Sequence, residues 1–171
     1  MTELFVIAQV FGVLGMISNI ASMHFQTRKN ILIALLFVNL FSALNFLCLG
    51  HLASCLIDLF GNVMILINNQ YEKRDMDVPR LMVMAYIAID VVLGVLTGNE
   101  LVDLIVVAAS VMYCLTIIMK SEQKIRTSWL IVLIMYLVYD VLVGAYVFAL
   151  SCILSCISTM IAIIRNSKRT N

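Results

Sequence analysis

Residues 30–69 read NILIALLFVNLFSALNFLCLGHLASCLIDLFGNVMILINN, forty residues with one formal charge, Asp58. As a single helix this stretch would be ~60 Å long at ~1.5 Å per residue. That is twice the ~30 Å hydrocarbon core of a bilayer. Gly50-His51 is the natural break, so the stretch reads as two spans, residues 30–49 and 52–69. The apolar runs are continuous rather than alternating, which argues against strands.

The rest of the chain divides in the same way. Residues 4–23, 81–96, 101–119, 128–147 and 148–164 each form a further apolar run. The expectation is an all-α polytopic membrane protein with seven transmembrane helices, forming a single membrane domain over residues 1–171. Composition agrees: of 171 residues, 63% are hydrophobic and 12% charged. A soluble domain has about 45–50% apolar and about 25% charged residues. A mean hydropathy of +1.07 excludes a disordered chain, a coiled coil and a nucleic-acid binder, leaving the lipid bilayer as the first partner. The five cysteines lie within apolar runs, unlike those of a secreted disulfide scaffold. The N-terminus carries Glu3 where a signal peptide has basic residues, so residues 4–23 read as a retained span.

The charges orient the spans. All eleven Lys and Arg fall into four clusters: Arg28-Lys29; Lys73, Arg74 and Arg80; Lys120, Lys124 and Arg126; and Arg165, Lys168 and Arg169. Seven spans put all four on one side, which the positive-inside rule makes the cytoplasm. The N-terminus is then outside and the C-terminus inside. With Glu72, Asp75, Asp77 and Glu122, the cytoplasmic segments hold eleven bases against four acids, a net of +7. The overall +1 therefore conceals a polarised molecule.

Residues 4–69 and 101–164 share one plan: a long span, a basic loop, a second span, a tight turn, a third span and a basic end. Gly50 and Gly144 mark the two turns, 94 residues apart. Few residues match at that offset, so the repeat lies in hydropathy rather than identity. Residues 81–96 would be a linker span that makes the halves parallel, a 3-1-3 pseudo-repeat. Such repeats enclose a midplane site in many membrane proteins.

Polar residues in hydrocarbon are costly and face the bundle interior. Ser54, Asp58, Asn62 and Asn69 share one face by helical spacing, as do Tyr86, Asp90, Gly94 and Thr97, and Tyr136, Asp140 and Gly144. Span one has a stripe of Gly12, Gly15, Asn19, Ser22 and Gln26, and span two carries Asn39, Ser42 and Asn45. Asp58, Asp90 and Asp140 all read as ~10–12 Å below the outer surface, with no Lys or Arg in that layer. A lone buried carboxylate is costly, so these groups are either neutral or kept wet by an outward-open cavity. The functional reading is an acidic vestibule for a cation, a proton or a small polar solute. Asp58, Asp140, Asn62, Asn45, Gln26 and Asp90 are its candidate binding residues. Asn19, Asn39 and the serines read instead as hydrogen-bonded helix glue. The cysteines and eleven methionines read as packing residues, and Trp129 as an interface anchor. No phosphate loop, His-Glu-x-x-His, nucleophile elbow or dinucleotide fingerprint is present. Neither an enzyme, a cofactor nor a metal is expected.

Ser22-Met23-His24-Phe25-Gln26, followed by Arg28-Lys29-Asn30, resembles the opening of the YgjV-type bacterial inner-membrane proteins. The Leu49-Gly50 turn, the Trp129-Leu130-Ile131 start of span six and the terminal Ile164-Arg165 are similar to that family too. The resemblance implies residence in the bacterial inner membrane and carries no activity with it. More distantly the layout is similar to the PQ-loop and SWEET carriers, which share a 3-1-3 plan and hinge on a Pro-Gln pair. Here Phe25 precedes Gln26, and the second half offers only Gln123 between Lys120 and Lys124. Proline-driven bending is therefore absent from both halves. Two readings follow: a small polar solute carrier with a proton- or cation-sensitive acidic cavity, or a non-transporting membrane scaffold or partner subunit.

Overall fold

The computed structural model describes residues 2–25, 28–98, 100–117, 119 and 122–170. Among them are seven α-helices and no strand. These are α1 (Thr2–His24), α2 (Arg28–Leu49), α3 (Leu52–Lys73), α4 (Arg80–Thr97), α5 (Asp103–Ile117), α6 (Glu122–Val143) and α7 (Tyr146–Thr170). Four are long and apolar enough to cross a membrane, over Glu3–Ser22, Leu32–Leu49, Leu52–Lys73 and Arg80–Thr97. The other three carry shorter apolar stretches, Asp103–Ile117, Thr127–Val143 and Tyr146–Ile161. Leu81, Leu96 and Leu101 are among many large apolar side chains left bare on the outside, the surface chemistry of a lipid-facing bundle.

Each helix packs on the next, α1 closes on α7, and α3 also touches α5. Six helices thus form a ring, α1-α2-α3-α5-α6-α7, with α4 braced outside against α3 and α5. Met64, Val83, Tyr86 and Cys114 form the buried core of that brace. Gly94 lets α4 come this close, because a Cβ there would fall on the Val107 side chain. On the other side Gly15 admits the Phe148 ring, so α7 seats deeply against α1.

The two tight turns are built alike. Gly50 (φ 89°) follows α2 and Gly144 (φ 80°) follows α6. Both sit in the left-handed region that glycine reaches without steric cost. In each, the amide after the glycine reaches back five residues to the helix: His51 N–H to Phe46 O at 2.9 Å, and Ala145 N–H to Asp140 O at 2.8 Å. These bonds satisfy carbonyls that a helix C-terminus otherwise leaves open. The equivalent positions are 94 residues apart, the offset read from the sequence.

Of the boundaries that differ from the expectation, one moves a candidate residue. The sixth helix ends at Val143 rather than 147, because the chain turns at Gly144. Asp140 therefore lies three residues from the end of α6, about 4.5 Å deep, whereas Asp58 lies six residues into α3, about 9 Å deep. The two carboxyls do not share one depth.

Candidate functional site

A cavity of about 400 Å³ lies inside the six-helix ring. Its wall reaches from Phe46, Asp140 and Phe148 near the tight turns to Leu35, Trp129 and Thr159 deeper in the bundle. Along α6, from Asp140 to Trp129, that is eleven residues or ~16 Å. No residue of α4 lines it.

The lining carries an internal order. Of the twenty-three described residues that line the cavity, twenty fall into ten pairs separated by 94 positions. Asn19 pairs with Tyr113, Leu35 with Trp129, Ser42 with Tyr136, Phe46 with Asp140 and Asp58 with Cys152. The closing contacts of the ring, α1 on α7 and α5 on α3, also exchange under this shift. So do the clips that hold the turns. Gln9 of α1 donates from Nε2 to Gly144 O at 2.9 Å and accepts from Val147 N–H at 3.4 Å. Asp103 of α5, 94 residues later, lies with Oδ1 3.4 Å from His51 Nδ1 at the first turn. One level below, Asn45 Nδ2 donates to Ala8 O of α1 at 2.6 Å. Its counterpart Tyr139 donates its hydroxyl to Asp103 Oδ1 of α5 at 3.2 Å and also hydrogen-bonds Ser54.

The end of the cavity toward the turns is closed. Phe46, Ile57, Tyr139 and Phe148 belong to one packed core with Val106 and Val107. Phe46 meets Tyr139 edge-on at 5.5 Å and stacks on Phe148 at 6.2 Å. Large aromatic side chains pack beside Asp140 at that end.

Of the expected binding residues, the fold brings Asp58 and Asp140 together on the cavity wall from opposite halves of the ring. Asp140 lies within electrostatic reach of Asp58, and Ser42 lines the same wall. The Asp58 Oδ2 atom is enclosed without any hydrogen-bond partner. Cys152 directs its thiol at Asp140 Oδ2, 3.5 Å away. The other expected residues are elsewhere. Asp90 is fully buried on α4 and takes the Cys114 thiol of α5 at 3.5 Å. It does not line the cavity, although its charge acts on Asp58 and Tyr136, which do. Asn45 holds α2 to α1. Asn62 does not line the cavity: that face of α3 centres on Gly61 with Ile57, Met64 and Ile65, and at ~100° per residue Asn62 points well to one side. Gln26 lies outside the described residues.

Several lining residues were read from sequence only as glue or anchors. Asn19 does glue helices, donating to Ser151 Oγ at 3.1 Å across α1 and α7, yet it lines the cavity too. Ser42, Ser110, Ser155, Ser158 and Thr159 add hydroxyls to the wall, and Tyr113, Tyr136 and Trp129 add rings. For all of them but Ser110 the signal was the 94-residue offset, applied to positions rather than to residue types. Among the described residues no cluster of three His, Cys, Asp or Glu side chains is arranged to hold a metal ion.

Residues 6–170 match the Imp-YgjV family, described as bacterial inner membrane protein. The chain belongs to this family. No curated protein and no solved structure matches the chain. This Imp-YgjV protein is thus a multi-pass protein of the bacterial inner membrane, and its central cavity is the feature a function must explain.

Proposed function

We propose that this Imp-YgjV protein is a seven-span carrier for a small polar solute. Residues 4–69 and 101–164 form its two parallel three-helix halves, and residues 81–96 form the linker span. The observation that carries the reading is the cavity wall: ten pairs of positions at one offset line a single chamber between the halves. Carriers built from parallel repeats bind substrate at such a repeat interface and alternate by rocking one half on the other. The seams available for rocking are α1 on α7 and α3 on α5. The helices contain no proline, since Pro79 caps α4 from outside, so the halves move as rigid bodies rather than by helix bending. With the four basic clusters in the cytoplasm, the tight turns face outward, and the aromatic core holds the outer side shut.

The test is uptake into proteoliposomes containing the purified protein, screened with pools of small amines, polyols and amino acids. Uptake of at least one pool that falls to the empty-liposome level in the Asp58→Asn, Asp140→Asn double variant supports the reading. Equal, protein-independent counts for every pool favour the scaffold alternative. A reporter fused after Asn171 should read cytoplasmic; a periplasmic signal overturns the orientation and the seven-span count.

A further inference from the structure

The chemistry of the cavity narrows its ligand, an inference that rests on the cavity being a binding site. The end nearest the turns presents Asp58 and Asp140 from opposite halves, flanked by the hydroxyls of Ser42 and Tyr136. Among the described residues that line the cavity there is no Lys, Arg or His. Two carboxylates facing one chamber repel each other, and Asp58 Oδ2 is enclosed with no donor to meet it. A buried acceptor left without a donor is an expensive feature to keep. It becomes favourable when an N–H donor carrying positive charge arrives, since charge-assisted bonds are about twice as strong as neutral ones.

The rest of the wall decides between cations. A bare metal ion needs a close shell of several oxygens, and a chamber of about 400 Å³ with a largely apolar lining does not supply one. A sugar needs polar partners on all sides, but Phe46, Ile57, Leu133 and Phe148 surround the acidic end. Away from the acids, the wall offers the rings of Tyr113 and Trp129, 5.6 Å apart. With the hydroxyls of Ser155, Ser158 and Thr159 on the same wall, that suits an organic body with one side against the rings. The geometry points to a small protonated primary or secondary amine, its nitrogen between Asp58 and Asp140 and its organic part lying toward Trp129.

The test is calorimetric titration of the purified full-length protein in detergent at neutral pH. The probes are n-butylamine and phenethylamine, their size-matched alcohols n-butanol and 2-phenylethanol, glucose, and sodium chloride. Each amine should bind at least ~30-fold more tightly than its alcohol, the loss expected when one member of a buried charge pair is removed. That preference should vanish in the Asp58→Asn, Asp140→Asn variant and survive in Glu3→Gln, an exposed acid at the start of α1 that does not line the cavity. If the double variant does not elute as a folded species, the single variants are read instead, and each should lower the preference. Equal binding of amine and alcohol, binding of glucose alone, a sodium signal with the same aspartate dependence, or no binding by any amine overturns the proposal. The carrier reading fails separately. Amines that bind but are not taken up by proteoliposomes sink transport and leave the ligand class standing. Glucose uptake without amine binding does the reverse.

Discussion

Gly50 and Gly144 offer a matched test of the two-half architecture. Each occupies the left-handed region, at φ 89° and φ 80°. A side chain there costs ~1–2 kcal/mol, because its Cβ crowds the following carbonyl. Little else should add to that figure. A Cβ at Gly50 meets nothing within 4 Å, and one at Gly144 meets only Phe5 Cε2 at 3.7 Å, an ordinary contact. Alanine at either position should therefore cost the same ~1–2 kcal/mol, and asparagine, which tolerates this region, distinctly less. In a chain of this size ~1 kcal/mol moves the melting temperature by ~2–4 °C. Gly50→Ala and Gly144→Ala should each lower it by ~2–8 °C, with the two values within a couple of degrees of each other. Trp129 is the only tryptophan, so its fluorescence during heating in detergent reports unfolding without a label. A neutral Gly144→Ala beside a costly Gly50→Ala would refute the equivalence of the turns. Alanine no worse than asparagine at both would refute the backbone argument itself.

Three further outcomes follow from the packing. Gly94→Ala should destabilise despite alanine's helix propensity: overpacking costs ~1–3 kcal/mol against a propensity gain of ~1 kcal/mol. Adding Val107→Ala should restore the melting temperature, since Val107 is what the new Cβ meets. Tyr139→Phe removes the hydroxyl joining Ser54 to Asp103 and should cost ~1–3 kcal/mol in thermal unfolding. It should leave ligand affinity unchanged, because Tyr139 does not line the cavity. Cys152 does line it, so with the other four cysteines replaced by alanine it reports access. A membrane-impermeant thiol reagent should label Cys152 in inside-out vesicles and spare it in right-side-out ones, as counted by mass spectrometry. Equal labelling from both sides would show that the aromatic core does not close the outer end.

The helices were legible because they rest on run length, which hydrophobicity dictates directly. Forty residues around Gly50 could only be two spans. The depth of Asp140 was misread because residues 145–149 are as apolar as a span. Hydropathy therefore ran through the turn, and backbone conformation at one glycine decided the boundary. The cavity was half legible. Helical phase put Asp58 and Asp140 inward, but phase within a helix says nothing of which neighbour it faces. Asp90, inward-facing on the same logic, turned out to face α5 from outside the ring. Asn62 failed for a smaller reason: the ~100° step between neighbouring residues places it beside Asp58 in spacing but off the cavity face.

On the proposed two-half reading, the repeat explains why residue identity was a poor guide and where it becomes a good one. Gln9 and Asp103 both clip a tight turn, and Asn45 and Tyr139 both tie a second helix to a first. The fold asks those positions only for a polar group of sufficient reach, so they diverge without consequence for the architecture. The same comparison isolates what the fold does not require. Cys152 stands where the other half has Asp58, and Phe46 where the other half has Asp140. Each half therefore forms the same helices and turn without a carboxyl at the place where the other half carries one. A carboxyl facing a chamber inside the bundle is a cost to folding in a membrane, and the packing of the equivalent half shows that the architecture does not demand it. The two acids are thus the lining residues whose presence the scaffold explains least and a ligand explains best.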